Sequence, residues 1–219
     1  MFIGHFGVGF GAKAISPKVS LGTLFLAAQF IDLLWPTLLL LDIEHVRIVP
    51  GATRVTPLLF VDYPYSHSLL AVLGWALLMG CGYLWLRRDR LGAGVLGALV
   101  VSHWLLDAMV HQADLPLYPG SAVKIGLDAW ASLPISLTLE VALLGLGVWL
   151  YARTTTHRDA IGRWGFRVLV VLLLGIYAGN VFGPPPPSAT ALAWVAQLQW
   201  LLVLWGYWID RHRQVRIRV

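Results

Sequence analysis

The sequence is poor in charged residues. Only 12% of its 219 residues are Asp, Glu, Lys or Arg, against 58% that are hydrophobic, and soluble domains carry roughly twice that charged share. This shortage argues against an ordinary soluble domain. The formal net charge is +5, but the cations lie in short connections between apolar runs. There they report membrane orientation, and we expect no nucleic-acid partner.

The sequence also has a single cysteine, no basic start of a signal peptide and no internal repeat, and each of these limits the possible classes of protein. Cysteine occurs once, as Cys81 within an apolar run, which excludes an intramolecular disulfide and a cysteine-based metal site. The first residues lack the basic start of a secretory signal peptide, so we expect the N-terminal segment to be retained. No internal repeat is visible, and a transporter built from repeats therefore has no support.

Long apolar runs are what the chain has in abundance, and several reach the ~20 residues that a bilayer-spanning helix needs. The sequence therefore predicts an all-α, polytopic membrane protein with one integral membrane domain over residues 1–219. Residues 2–14 are glycine-rich and too short to cross, which predicts an interfacial or re-entrant helix. About six transmembrane helices are predicted, at roughly 19–41, 67–86, 91–111, 130–151, 166–183 and 190–209.

The basic residues fall on one side of this arrangement. With six spans, the same side receives Lys13, the run at 87–90, the connection at 153–167 and the basic C-terminal run. By the positive-inside rule this side is the cytoplasm, so both termini are predicted to be cytoplasmic. The connections after the first and third spans then face outward, as does the proline run at 184–187.

Ionisable residues within the apolar runs are the main indication of function. His103, Asp107 and His111 are spaced four apart, so a helix places them on one face. Asp32 in the first span and His67 at the start of the second reach the same outer depth. Such groups are costly in a membrane unless they pair, bind a ligand or line a polar cavity. Imidazole and carboxylate groups without thiolate suit zinc, manganese or iron(II).

Less specific roles are open for these residues. Asp32 and Asp107 could instead form hydrogen bonds that hold helices together. His67 could be a residue at the start of a helix, beside a serine that caps it. Three roles are open for Glu140 in mid-span: a protonated carboxyl, a group that orients a ligand histidine, or a proton relay. His111 lies near the water boundary and is a candidate for proton transfer or for contact with a ligand residue.

Four short motifs resemble a known family. They are "GH" at 4–5, "FIDLLWP" at 30–36, "YSHSLL" at 65–70 and "SHWLLD" at 102–107. In this order they are similar to the predicted membrane-bound metal-dependent hydrolases of bacteria, which are related to the inner-membrane-associated hydrolases described as LexA-binding. The resemblance covers about the first half of the chain. It implies a motif-bearing half, 1–111, and a half of supporting helices, 112–219.

The resemblance also implies a five-residue metal site and adds one histidine to it. Without the resemblance this histidine would be left out, because the simple topology puts the N-terminus on the cytoplasmic side. The implied ligands are His5, Asp32, His67, His103 and Asp107. The family's usual His and Arg before the serine–histidine motif are missing, since residues 62–64 read Asp-Tyr-Pro. Arg47 or Arg54 is a candidate for the lost anion contact.

The predicted function is hydrolysis at a divalent-metal site, with zinc favoured and manganese or iron as alternatives, in the outer half of a bacterial inner membrane. Such an ion lowers the pKa of a bound water and polarises the scissile oxygen, and His111 and Glu140 are the candidate catalytic groups. The predicted partner is a membrane lipid or a lipid-linked ester or phosphoester substrate. The alternative is a non-enzymatic membrane protein. Its cluster would form an ion or proton pathway, a haem site with His67 and His103 as axial ligands, or a structural polar core.

Overall fold

The computed structural model describes residues 1–216, and these form helices joined by short loops. The helices are α1 Ile3–Ala12, α2 Leu21–Ala28, α3 Phe30–Leu40, α4 Pro64–His67, α5 Leu69–Arg87, α6 Arg90–Val110, α7 Leu133–Thr154, α8 Ala160–Phe182, α9 Ala189–Gln197 and α10 Gln199–Arg211. Paired antiparallel strands lie in the connections: β1 His45–Ile48 with β2 Leu58–Asp62, β3 Leu115–Pro116 with β4 Lys124–Ile125, and β5 Thr155–His157 with β6 Arg213–Val215. A short 3-10 helix, Ala129–Ala131, precedes α7.

Five helical stretches within the described residues are long and apolar enough to cross a membrane, and the bent pair α2–α3 makes a sixth. The single helices are α5, α6, α7 and α8, and the fifth stretch is α9 followed by α10. The axes of α2 and α3 meet at 56°, with Gln29 between them. These elements confirm the predicted all-α, polytopic fold.

The fifth predicted span is longer than the sequence indicates. α8 begins at Ala160, ahead of the predicted start, because Asp159 caps it: its carboxylate accepts a hydrogen bond from the Gly162 N–H at 2.8 Å. The Gly162 N–H, and then His212, hold the pKa of Asp159 below its usual value. Arginines in the first turns, which suggested a loop, extend along the exposed end of the helix.

The short helix α1 is almost fully enclosed by the bundle. Ile3, Phe6 and Phe10 are completely buried, and the helix packs against α7, α2 and α6. Gly7 and Gly147 allow α1 to lie directly on α7, because a Cβ on either glycine would overlap the backbone of the other helix. Of the two predicted forms, this burial favours a re-entrant helix over one lying on the interface.

The basic connections come together at one end of the bundle. Lys13 follows α1 and donates a hydrogen bond to Asp210, at 2.9 Å, near the end of α10. At the same end β5 pairs with β6, and Arg213 lies over the rings of Tyr151 and Phe166. Residues 217–219, the last part of the predicted basic C-terminal run, lie outside the described residues. The loops after α3, α6 and α8 gather at the opposite end, around a large cavity.

Candidate metal centre

The five predicted ligands meet in the interior of the bundle. Four helices deliver them: α1, α3, α4 and α6. The group consists of His5, Asp32, His67, His103 and Asp107, and their ligand atoms form two overlapping triads, His5–His103–Asp107 and Asp32–His67–His103, each within 4.8 Å. The side chain of Asp32 is 19% exposed, whereas those of the other four are at most 3% exposed. A cluster of this kind could hold a metal ion.

Four of these side chains form a ring of ligand atoms, here called the ligand ring: Asp32, His67, His103 and Asp107. Asp32 Oδ1 lies 3.5 Å from His67 Nε2 and 3.6 Å from His103 Nε2. Asp107 Oδ2 lies 3.7 and 3.1 Å from the same two nitrogens. For metal–ligand bonds of ~2.0–2.2 Å, neighbouring ligand atoms lie about 3.0–3.6 Å apart in octahedral or tetrahedral geometry. Three of these four nitrogen–oxygen separations fall within that range, so side chains of the ring could hold a metal ion.

His5 stands behind the ligand ring. Its Nε2 lies 3.1 Å from Asp107 Oδ1, whereas His67 and His103 approach the other oxygen, Oδ2. The imidazole of His5 stacks on that of His103, with 3.6 Å between their centroids. The α-ammonium of Met1 also binds Oδ1, at 2.5 Å. Because His103 Nε2 has a single lone pair, it can serve only one of the two triads at a time. We assign it to the ligand ring, where it faces both carboxylates.

The break between α2 and α3 orients His103. Near the break at Gln29 the carbonyl of Ala28 accepts a hydrogen bond from the His103 Nδ1–H at 2.8 Å. This contact fixes the tautomer, so the lone pair of Nε2 points at Asp32 and Asp107. Nε2 is buried and has no hydrogen-bond partner within residues 1–216. Beside two carboxylates this nitrogen is stabilised by a positive charge, supplied either by its own proton or by a bound cation.

A buried chain of polar groups orients His67. The Glu44 carboxylate accepts hydrogen bonds from the N–H groups of Tyr65 and Ser66, at 2.8 Å each, and from the Ser66 hydroxyl at 2.6 Å. With that hydrogen committed, Ser66 Oγ accepts from the His67 Nδ1–H at 2.7 Å. The lone pair of His67 Nε2 is thereby directed into the ligand ring. Sequence reasoning missed Glu44, because nothing in the spacing of the loop links this carboxylate to His67.

Ser66→Ala is expected to weaken metal binding by about 10–100-fold, the usual effect of losing a group that orients a metal-bound histidine. The His67 Nδ1–H would lose its acceptor, and Glu44 would lose a donor. Competition with a chromogenic chelator in detergent measures the affinity. Ser68→Ala is the matched control, because the Ser68 hydroxyl caps α5 by accepting from the Ala71 N–H and should leave the affinity unchanged. Equal metal affinity in Ser66→Ala and wild type would show that Ser66 does not orient a metal-binding histidine.

Pro36 links the aspartate of α3 to α10. Proline has no N–H, so the backbone carbonyl of Asp32, four residues earlier, loses its helical partner. Gln199 Nε2 donates to that carbonyl instead, at 3.5 Å, and Gln197 Nε2 donates to Thr37 Oγ1 at 2.9 Å. Both glutamines therefore join helices, as polar side chains commonly do in membrane proteins.

Glu140, predicted as a catalytic residue, lies beside the cluster and holds α1. Its two carboxylate oxygens accept hydrogen bonds from the N–H groups of Phe2, at 2.8 Å, and Gly4, at 2.7 Å. A carboxylate at the start of a helix satisfies N–H groups that have no partner within the helix. Because α1 carries His5, these contacts come nearest to the second of the three roles open for Glu140: it positions a histidine of the cluster, although this histidine lies behind the ligand ring.

His111, the other predicted catalytic residue, is held by a second carboxylate. Its Nδ1–H donates to Asp114 Oδ1 at 3.0 Å, and the Tyr63 hydroxyl donates to the same oxygen at 2.5 Å. Burial, and then the charge of Asp114, raise the pKa of Tyr63, which stays protonated as a donor. His111 Nε2 therefore points toward Asp107 Oδ1, at 4.0 Å. The sequence offered no means of linking Tyr63 to this histidine.

A cavity of about 980 Å³ opens from the cluster. Its floor carries the polar groups Asp32, His67, Asp107, His111 and Glu140. Its walls are largely apolar and come from α8, α9 and α10, and the loop between β1 and β2 lines its mouth together with the prolines at 184–187. The half of the chain that was expected only to support the motifs thus forms most of the cavity wall.

The chain matches no known protein family, and it matches no curated protein and no solved structure.

Proposed function

We propose that the protein is a divalent-metal-dependent hydrolase that acts on a membrane lipid or a lipid-linked ester or phosphoester, and that it is a distant relative of the bacterial membrane hydrolases whose motifs it resembles. The observation that carries the proposal is the ligand ring at the floor of a mostly apolar cavity. Two imidazole nitrogens and two carboxylate oxygens suit zinc, with manganese or iron(II) as alternatives. When bound, such an ion polarises the scissile oxygen and activates water.

The chain's own residues supply the remaining chemistry. His111 is the proposed general base, because Asp114 holds its Nδ1–H and leaves Nε2 free at the cavity floor. Arg54 is the proposed contact for an anionic substrate group, since it lines the mouth of the cavity. Arg47 lies on β1 and is not among the lining residues. Arg54 would take the place of the arginine that the family motif has and this chain lacks.

We place the cavity in the outer half of a bacterial inner membrane, with both termini in the cytoplasm. The support is the gathering of basic side chains at the far end of the bundle, including Lys13 and Arg213, because basic residues accumulate on the cytoplasmic side. A substrate would then reach the ligand ring from the outer leaflet.

The geometry argues against the haem alternative. Two axial histidines must lie on opposite faces of a porphyrin, with only iron between their nitrogens. Here Asp32 and Asp107 each lie within 3.7 Å of both His67 Nε2 and His103 Nε2, so the carboxylates occupy that space. One contact favours the other alternative, a structural polar core: the Met1 ammonium already neutralises part of the charge of Asp107.

Hydrolysis of defined lipid esters tests the proposal. Purified protein in mild detergent is expected to cleave a phospholipid or a chromogenic acyl ester, to stop in EDTA, and to recover when zinc or manganese is restored. His111→Ala is expected to lower kcat by about 10²–10⁴-fold, the usual contribution of a general base, without loss of bound metal. His157→Ala is the control, because His157 is an exposed residue of β5. Metal-loaded protein that cleaves no lipid ester in such a panel would contradict the hydrolase assignment.

A further inference from the structure

We propose that the cleft between α8 and α9–α10 holds one acyl chain of a membrane phospholipid, which enters it sideways from the bilayer. The inference rests on the proposed function, since it states how the substrate of that hydrolase would bind. It concerns the long wall of the cavity, away from the ligand ring.

The cleft exists because two helices that follow each other in the chain do not pack together. α8 packs against α10, whereas α9 packs against α3 and β1 and scarcely contacts α8. The connection between them is Gly183 and the prolines at 184–187, which cannot form a helix. This stiff connection separates the outer ends of the two helices, and the cavity extends between them.

The walls of the cleft are mostly aliphatic, and their exceptions are Tyr177, Asn180, Gln199 and Trp205. Leu172 and Ile176 line it on α8, one helical turn apart, and Val195 and Leu202 line it on the facing helices. Such walls offer hydrocarbon contacts and few hydrogen bonds, so they suit an apolar chain better than a polar solute. The volume of about 980 Å³ lies at the upper end of the ~300–1,000 Å³ typical of ligand pockets.

The cleft is open on its side. Val195, Leu198 and Leu201 line the cavity although they are 65%, 57% and 57% exposed. They lie on a helical stretch that is long and apolar enough to cross a membrane, so the surroundings at this level are hydrocarbon. The bulk component of a bilayer at that position is phospholipid, and its acyl chain can move into the cleft without crossing water.

The two ends of the cavity match the two ends of such a lipid. The inner end carries the ligand ring and His111, where an ester carbonyl would meet the hydrolytic groups. The mouth carries Arg54, whose guanidinium has no ion-pair partner within residues 1–216 and suits a headgroup phosphate. An acyl chain in the cleft would therefore place the ester near the ring and the phosphate near Arg54.

Gly179 allows the cleft to be filled selectively. It lines the cavity on α8, and a Cβ built there meets no atom within 4 Å. Gly179→Phe would therefore place a ring in the cleft without disturbing the ligand ring. Gly145→Phe is the matched control, because Gly145 is an exposed glycine of α7 whose Cβ would also meet nothing and which does not line the cavity. Ile176→Trp, on the same wall, is a second variant in case Gly179→Phe does not fold.

The test uses a phosphatidylglycerol with a diazirine on one acyl chain, incorporated into phosphatidylcholine nanodiscs with the full-length protein. Mass spectrometry is expected to find crosslinks concentrated at Ile176, Val195 and Leu202. Gly179→Phe is expected to reduce them about tenfold, because its ring takes the space of the chain, and Gly145→Phe is expected to leave them unchanged. Crosslinks spread evenly over lipid-facing residues such as Leu77 and Leu78 of α5, and equal in both variants, would overturn the inference.

The crosslinking requires neither metal nor turnover, so the inference and the proposed function can fail separately. Localised crosslinks in a metal-free, inactive protein would support the acyl-chain site and contradict the hydrolase. Metal-dependent hydrolysis without crosslinks in the cleft would support the hydrolase and contradict this acyl-chain site.

Discussion

His103→Ala is expected to purify without bound metal, while wild-type protein handled identically retains it. His103 contributes Nε2 to the ligand ring, at 3.1 Å from Asp107 and 3.6 Å from Asp32. Without it a single imidazole, His67, remains between the two carboxylates, and a site of two oxygens and one nitrogen binds zinc far more weakly. Elemental analysis by inductively coupled plasma mass spectrometry measures the bound metal per chain.

Two controls separate loss of the ligand from loss of the fold. His157→Ala removes an exposed histidine of β5 and is expected to retain the wild-type metal content. Circular dichroism and size-exclusion chromatography show whether His103→Ala stays helical and monodisperse, which matters because its ring also stacks on His5. A folded His103→Ala protein with the wild-type metal content would show that the metal binds elsewhere.

Glu140→Ala is expected to destabilise the protein by detaching the start of α1. The two N–H groups that the carboxylate now accepts, from Phe2 and Gly4, would lie buried without an acceptor. Each such group costs about 1–3 kcal/mol, so the free energy of unfolding should fall by roughly 2–6 kcal/mol. Thermal unfolding followed by tryptophan fluorescence measures the change, and Thr138→Ala, at an exposed position of the same helix, is the control.

The amide variant distinguishes a positioning role of Glu140 from a catalytic role. Glu140→Gln keeps one acceptor oxygen, so a positioning role predicts a stability between those of the Ala variant and wild type. A catalytic role predicts that kcat falls equally in both variants while the unfolding midpoint stays at the wild-type value. An equal fall in kcat with an unchanged unfolding midpoint would make Glu140 a catalytic residue and would contradict its positioning role.

The spanning helices and the residues of the ligand ring could be predicted from the sequence for identifiable physical reasons. Spanning helices follow from the length of apolar runs, and four-residue spacing puts His103 and Asp107 on one helical face. Asp32 and His67 could be added because charged or polar residues at one depth in a membrane tend to meet. These are properties of single helices and of their common register across a bilayer, and both can be worked out from sequence.

The position of His5 could not be worked out in that way. It depends on α1 folding back into the bundle against α7, through the mutual contact of Gly7 and Gly147, and no property of the first residues specifies their partner helix. Family resemblance supplied His5, whereas the residues alone excluded it. The structure buries His5 beside Asp107, so its proximity to the cluster is established even though it lies behind the ligand ring.

The groups that orient the ligand histidines and the residues that form the cavity wall could not be predicted from the sequence either. Glu44 reaches Ser66 through a loop and a pair of strands, a contact set by tertiary packing and not by spacing. The cleft depends on α8 and α9 being held apart, which is a property of the whole bundle. The four prolines at 184–187 indicate a stiff connection, but its consequence for the cavity becomes visible only in three dimensions.

The central claim is that the ligand ring binds a divalent metal, and elemental analysis of wild-type protein tests it most directly. The protein is purified in mild detergent without chelator, and its metal content is measured before and after dialysis against zinc and manganese. We predict roughly one divalent ion per chain, as the ring offers one set of four ligands. Wild-type protein that carries no metal and takes up none on dialysis would contradict the account.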